Sequence, residues 1–258
     1  MASGKLSPRQ KMINMMYLVL TAMLALNVSR EVMDFLYDDM KSKELSTSTI
    51  NVQNSSVYNK FVKAKTDNPV KAGPWHDKAM EVKEKSNALF DNIERIKNEL
   101  VDATGGYSEE DPEKPKRLDN REKVAEKMVK GSEGVELQKQ IEEYRAFMIE
   151  TAGQNEELVN SIVKVLNTDP KKNKDGVQEK WVNYSFEHYP LISVLSTLTT
   201  IQSNVRNTEA QTIDMLQDNI SADDIPFTNV EALVIPTSNY ITQGQSYEAQ
   251  VLLAAYDA

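Results

Sequence analysis

The apolar run 12–28 constrains this chain more than any other feature, because the helical pattern continues where the apolar character ends. Lys5, Arg9 and Lys11 precede the run. Beyond it, apolar residues recur at helical spacing through Val32, Phe35, Leu36 and Met40, with no Gly or Pro before Pro69. A cleaved secretion signal would be shorter and would stop at a small-residue cleavage site ahead of a new fold. The pattern predicts an uncleaved membrane anchor whose helix leaves the bilayer and enters a soluble domain.

The run is about 17 residues, the short end of what crosses roughly 30 Å of hydrocarbon at ~1.5 Å per residue. Arg9, Lys11 and Arg30 can snorkel towards the headgroups and relieve the mismatch. Basic residues ahead of the span predict a cytoplasmic N-terminus, with the main domain across the inner membrane in the periplasm. A buried core helix of a soluble protein is the alternative. It fits less well, because the basic residues of this region lie before the span and no acid falls within it.

Four polar side chains interrupt the run: Gln10, Asn14, Tyr17 and Thr21, spaced four, three and four apart. At about 100° per residue they share one narrow stripe. Polar groups facing hydrocarbon are costly, so this stripe is expected to face protein or a hydrated path. Ordinary helix–helix hydrogen bonding is the plainer explanation of it. Arg9, just outside the core, reads either as a topogenic charge or as the counter-ion of a partner's acid.

The 258 residues carry a net charge of −9 and a pI near 5.0, which argues against a nucleic-acid partner. The chain has no cysteine, so disulfides, thiolate chemistry and Cys-ligated zinc are excluded.

Amphipathic spacing predicts an extended helical bundle. The first helix runs to about residue 65, with weaker helix formers between Leu45 and Asn59 where a kink is possible. A loop is expected at Asn68-Pro69 and Gly73-Pro74, then a helix from Trp75 to Gly105-Gly106. A charged surface loop over 107–120 precedes a short helix over 121–130 and a long one over 132–167. A Lys-rich turn follows, and the last helix opens after Pro190 and ends near Asn219. After Ile225-Pro226 the pattern changes: 228–235 and the alternation through Tyr247, Ala249, Val251, Leu253 and Ala255 predict two strands, with Gly244 in the turn. A β domain cannot close in so few residues, so it is expected to continue past Ala258. The expected division is 1–10 cytoplasmic, 11–30 transmembrane, 31–224 periplasmic helical bundle and 225–258 the start of a β domain.

No catalytic pattern emerges. There is no Gly-rich phosphate loop and no His-Glu-x-x-His pair. His76 and His188 lie far apart, and neighbouring acids such as Glu142 and Glu143 do not converge on one helix face. Trp75 and Trp181 are expected to pack in the core or at the bundle end. No enzyme activity, metal or cofactor is expected.

The residues Gly4-Lys5-Leu6-Ser7-Pro8-Arg9-Gln10-Lys11-Met12-Ile13-Asn14, then Met16-Tyr17-Leu18-Val19 and Ala22-Met23-Leu24-Ala25-Leu26-Asn27-Val28-Ser29, closely resemble the start of the GldM family of the gliding-motility and type IX secretion machinery. Residues 186–209 resemble the last helix of that family's first periplasmic domain. The resemblance implies a mainly α chain followed by the truncated start of an Ig-like β-sandwich. It implies a homodimer whose spans sit inside a ring of a GldL-type membrane protein, in five copies, with further periplasmic and outer-membrane secretion components reached through later domains. It further implies a non-enzymatic transducer driven by proton-motive force. The span lacks an acid, so the proton-carrying carboxylate would belong to the partner. Arg9 and Tyr17 match the family's opening pattern, with Arg9 as the candidate counter-ion. A single-span sensory receptor and a passive tether are the alternative readings. The short segment before the span is expected to leave no room for a cytoplasmic signalling domain.

Overall fold

The structure is a computed structural model that describes residues 7–222, 229–236 and 249–256; side chains 22–29 and most of those after residue 220 lie outside the description. The chain divides into two compact units, Met1–Leu216 and Gln217–Ala258.

Helix α1 is unbroken over Pro8–Asp67. Pro8 occupies the first turn, where its missing N–H costs nothing, and Ser7 and Gln10 form a reciprocal capping box. The Ser/Thr/Asn-rich middle stays helical because its buried face, Met40, Thr47, Asn54, Tyr58 and Phe61, packs in the bundle, and hydroxyls there bond back to the preceding turn: Thr47 to Lys43 O, Thr49 to Leu45 O and Ser55 to Asn51 O. At ~1.5 Å per residue the helix is about 90 Å long.

Helix α2 (Pro69–Ala103) begins earlier than its Gly-Pro pair predicts. Asn68 ends α1 and caps α2, accepting from the Lys71 amide, so Pro69 becomes the first-turn residue and Pro74 lies inside the helix. One interior proline removes a single backbone bond, and the buried Ala72 and Ala79 on either side hold the first turns in the core.

Helix α3 (Glu122–Ala125) runs into a π-turn over Glu126–Lys130. The expected single helix over 132–167 is two, α4 (Glu133–Ala152) and α5 (Glu156–Val165). Gly153 adopts φ 58°, which stops α4, and Asn155 restarts the chain by accepting from Leu158 N. The Lys-rich turn is a small hairpin pairing β1 (Lys171–Lys172) with β2 (Gln178–Glu179). Helix α6 (Trp181–Phe186) sets Trp181 edge-on against Phe186, centroids 5.1 Å apart, and both side chains are buried. Trp75 is half-buried, with the Lys78 ammonium 5.5 Å from its ring.

Helix α7 (Leu191–Ala222) is the centre of the bundle. Leu191, Ile192, Val194, Leu198, Val205 and Ile213 are fully buried, and between Leu191 and Leu216 the most exposed positions, Thr200, Asn207, Gln211 and Asp214, form one narrow stripe. Such a helix must be enclosed on nearly all sides. Hydrogen bonds tie it to α1 through Asn54, α2 through Lys97, α4 through Tyr144 and α5 through Ser161.

The loop after α2 is structured rather than featureless. Tyr107 and Pro115 form a bridge, Leu118 is buried, and the Leu118 and Asn120 carbonyls accept from the Ile192 and Leu191 amides at the start of α7. Lys114 reaches Asp34 of α1 at 2.8 Å, and Glu113 reaches Lys41 at 3.0 Å.

In the second unit, β3 (Asn229–Pro236) pairs antiparallel with β4 (Ala249–Tyr256), Leu233 opposite Leu252. The expected boundary at Ile225-Pro226, the strand start at Thr228, the turn at Gly244 and Tyr247 lie outside the described residues.

Among the described residues, no helix is long and apolar enough to cross a membrane. The expected span over 11–30 includes side chains 22–29, which lie outside that description.

Candidate functional site

Two regions carry chemistry. The first is the start of α1. Arg9, Gln10, Asn14, Tyr17 and Thr21 all lie in its first four turns and all are exposed. Because the helix is continuous, Gln10, Asn14, Tyr17 and Thr21 share one side of it. Gln10 also has a local role: its side-chain oxygen accepts from the Ser7 amide at 3.3 Å. Thr21 bonds its hydroxyl back to Tyr17 O at 2.7 Å, so its side chain is already served within the helix. The stripe is bordered by exposed apolar residues, with Met12 74% and Leu18 69% exposed.

The second region is a polar ladder inside the bundle, which the sequence reading missed. The buried seam of α1 is a heptad of Met40, Thr47, Asn54 and Phe61, flanked by Tyr37 and Tyr58. Two of those four steps are polar. Conversely the apolar Phe35, Leu45 and Val52 of the same helix are exposed. The polar positions are buried because α7 presents matching groups: Thr199, Gln202, Arg206 and Glu209, three or four residues apart and all buried.

Arg206 and Glu209 pair at 2.8 Å, with side chains 5% and 1% exposed. Tyr58 donates to the other Glu209 oxygen at 2.7 Å, so both carboxylate oxygens are engaged. A buried charge needs this degree of satisfaction. The guanidinium of Arg206 lies over the Phe90 ring at 4.4 Å, a favourable cation–π placement, while its buried Nε has no partner among the described residues. Asn54 donates to the Arg206 carbonyl at 3.2 Å. Burial, then the neighbouring Glu209 carboxylate, pushes the Tyr58 phenol well above its ordinary value, so it stays a donor. Burial does the same for Tyr144, whose hydroxyl meets Ser86 at 2.9 Å and the Val205 carbonyl at 3.3 Å.

One level closer to the start of α7, Lys97 is buried and its ammonium meets Glu44 at 2.7 Å, Glu94 at 3.2 Å and Gln202 at 3.1 Å. A cavity of about 270 Å³ opens beside it between α1, α2 and α7.

This arrangement fixes α7 against α1, α2 and α4 in a single register, since a slip of one residue would bury unpaired charge. Polar residues at helical spacing ordinarily mark a solvent face, so α7 alone carried no signal that this one is buried. His76 sits near the α1–α2 turn, with Nδ1 2.9 Å from Asp77 and 3.1 Å from the Lys65 ammonium. Among the described residues, no group of three or more His, Asp or Glu side chains could hold a metal ion.

The GldM N-terminal domain matches residues 38–219, and the GldM second domain matches residues 221–258. No curated protein matches the chain.

Proposed function

The chain belongs to the GldM family, and on that footing we propose that it is the dimeric, membrane-anchored energy transducer of an inner-membrane motor. Family membership makes it a component of the gliding-motility and type IX secretion machinery. The proposal adds how it works there. Residues 1–10 lie in the cytoplasm, 11–30 cross the inner membrane, 31–224 form the periplasmic bundle and 225–258 begin a β-sandwich. Proton flow through a GldL-type ring of five copies moves a pair of these chains, and the helical rod passes the work towards the outer membrane without enzymatic chemistry.

The observation that carries this reading is the continuity of α1. One helix over Pro8–Asp67 begins with exposed apolar side chains and ends fastened into a bundle core by Tyr58 and Phe61. Apolar surface left in water costs about 25 cal/mol per Å². Lipid or a partner helix around 12–21 removes that cost. Exposed Leu45 and Val52, seven residues apart, share one side of the same helix and offer a second copy an apolar contact there. A helix that long, without a break, moves its far end when its near end moves.

Arg9 is the residue proposed to face the partner's carboxylate, with Gln10, Asn14, Tyr17 and Thr21 lining a neighbouring side of the same turns. A topogenic charge is replaceable by Lys, because both count alike for orientation. A counter-ion in low dielectric is more demanding, since Arg stays charged and offers a planar fork. Arg9→Ala is expected to abolish secretion or gliding while the chain still inserts and co-purifies with its ring partner, and Arg9→Lys to be impaired. Normal motility in Arg9→Ala contradicts the counter-ion role. Lost insertion reduces Arg9 to a topology signal.

A further inference from the structure

We propose that the cavity between α1, α2 and α7 is a binding site for a small organic ammonium compound. The site does not depend on the motor reading.

The donors at the cavity floor are already committed. The three Lys97 protons go to Glu44, Glu94 and Gln202. The Gln202 amide donates to Phe90 O at 3.2 Å and to Glu94 Oε2 at 3.0 Å. Acceptors remain. Glu94 Oε1 accepts no hydrogen bond among the described residues, whereas both Glu44 oxygens are engaged, by Lys97 and Lys41. Thr199, 1% exposed, lines the cavity with its hydroxyl oxygen unpartnered. That is unusual within this helix: Thr197, Thr200 and Thr212 each bond back to the preceding turn, at 2.9, 2.8 and 2.8 Å. A buried hydroxyl without a partner costs about 1–3 kcal/mol, so its vacancy needs a reason.

Charge selects the ligand. The connected cluster beside the cavity holds three carboxylates, Glu44, Glu94 and Glu113, against two ammoniums, Lys97 and Lys41, which leaves one negative charge in excess. An anion would meet that excess, and the Lys97 and Gln202 protons are already taken. A cation that brings its own N–H groups supplies both deficits, to Glu94 Oε1 and Thr199 Oγ1, through charge-assisted bonds. Size limits it further. At about 270 Å³ the space falls just below the usual range for drug-sized ligands, so it suits a molecule of few heavy atoms. Ser48 and Asn51, exposed on α1, line the mouth and offer polar contacts to a hydroxyl or amide tail.

The test is isothermal titration calorimetry on the intact chain in mild detergent, with ethanolammonium chloride as the probe. Ethylene glycol and sodium chloride at matched strength are the controls. Saturable one-to-one binding of ethanolammonium is expected, with none for ethylene glycol. Glu94→Gln, at a half-exposed position that tolerates the change, should weaken binding about tenfold or more. Thr199→Val, which keeps the side-chain volume, should weaken it several-fold with the melting temperature held or raised. Absence of saturation up to about 10 mM, far weaker than ordinary specific binding, overturns the proposal. So does equal binding of ethylene glycol, or unchanged affinity in Glu94→Gln.

Discussion

The Tyr58 hydroxyl donates to Glu209 Oε1 at 2.7 Å, joining the distal part of α1 to the central helix across 151 positions of the chain. Both groups are buried, and Glu209 also holds Arg206. The bond therefore completes an ion pair in low dielectric as well as linking two helices.

Tyr58→Phe removes that donor and leaves one carboxylate oxygen unsatisfied, which should destabilise the bundle by about 1–3 kcal/mol. Glu209→Ala strands the buried Arg206 charge and should cost more, about 3–5 kcal/mol. Urea denaturation followed by circular dichroism measures both. A loss below about 0.5 kcal/mol for Glu209→Ala would mean the pair is solvated in solution.

The loop between α2 and α3 should owe its place to Leu118 rather than to its ion pairs. The Lys114–Asp34 and Lys41–Glu113 pairs are partly exposed, so a double-mutant cycle on either should give no more than about 1 kcal/mol. Leu118→Ala removes buried apolar volume next to the first turn of α7 and should cost about 2–3 kcal/mol. Chemical denaturation of the single and double variants distinguishes the two contributions.

Stability should fall in acid. Hydrogen bonds from the Lys127 ammonium, and next from the Arg95 guanidinium, hold the Glu99 carboxyl below the ordinary value of 4.5. A carboxyl whose folded pKa is depressed stabilises the fold above its unfolded pKa and loses that contribution as pH falls through the folded one. Lys123 acts on Glu126, and Lys65 on Asp77, in the same direction. The melting temperature should therefore be flat from pH 7 to about 5 and drop below about 4.5. Glu99→Gln should be less stable at pH 7 and show a shallower acid drop. A Glu99→Gln profile parallel to the parent would show that the Lys127 bond does not form in solution.

Helices were legible where apolar residues mark one face: α2 and α7 bury the Val82, Leu89, Ile93 and Ile96 or Leu191, Val194 and Leu198 that their spacing selects. The strand pair was legible from β-branched residues at 229–236 and period-two alternation at 249–256. The break at Gly153 was missed because apolar spacing continues on both sides of it, whereas a positive φ leaves no apolar signature. The interior ladder was missed for a related reason. Hydrophobic periodicity treats Asn54, Thr47 and Glu209 as solvent residues, and only their pairing across helices makes burial tolerable. The stripe from Gln10 to Thr21 was legible as a pattern, because four polar residues at steps of four, three and four interrupt an apolar run.

The most direct measurement inserts four glycines between Arg30 and Glu31, which breaks α1 between its apolar start and the bundle. Glycine lacks helix propensity at about 1 kcal/mol per residue, so the insertion becomes a flexible joint. Type IX secretion and gliding are then scored in cells, with membrane anchoring, dimer formation and bundle melting as controls. A transducer that works through one rigid helix should lose secretion and gliding while all three controls stay normal. Full secretion through a flexible joint would contradict mechanical transmission and leave the chain a tether.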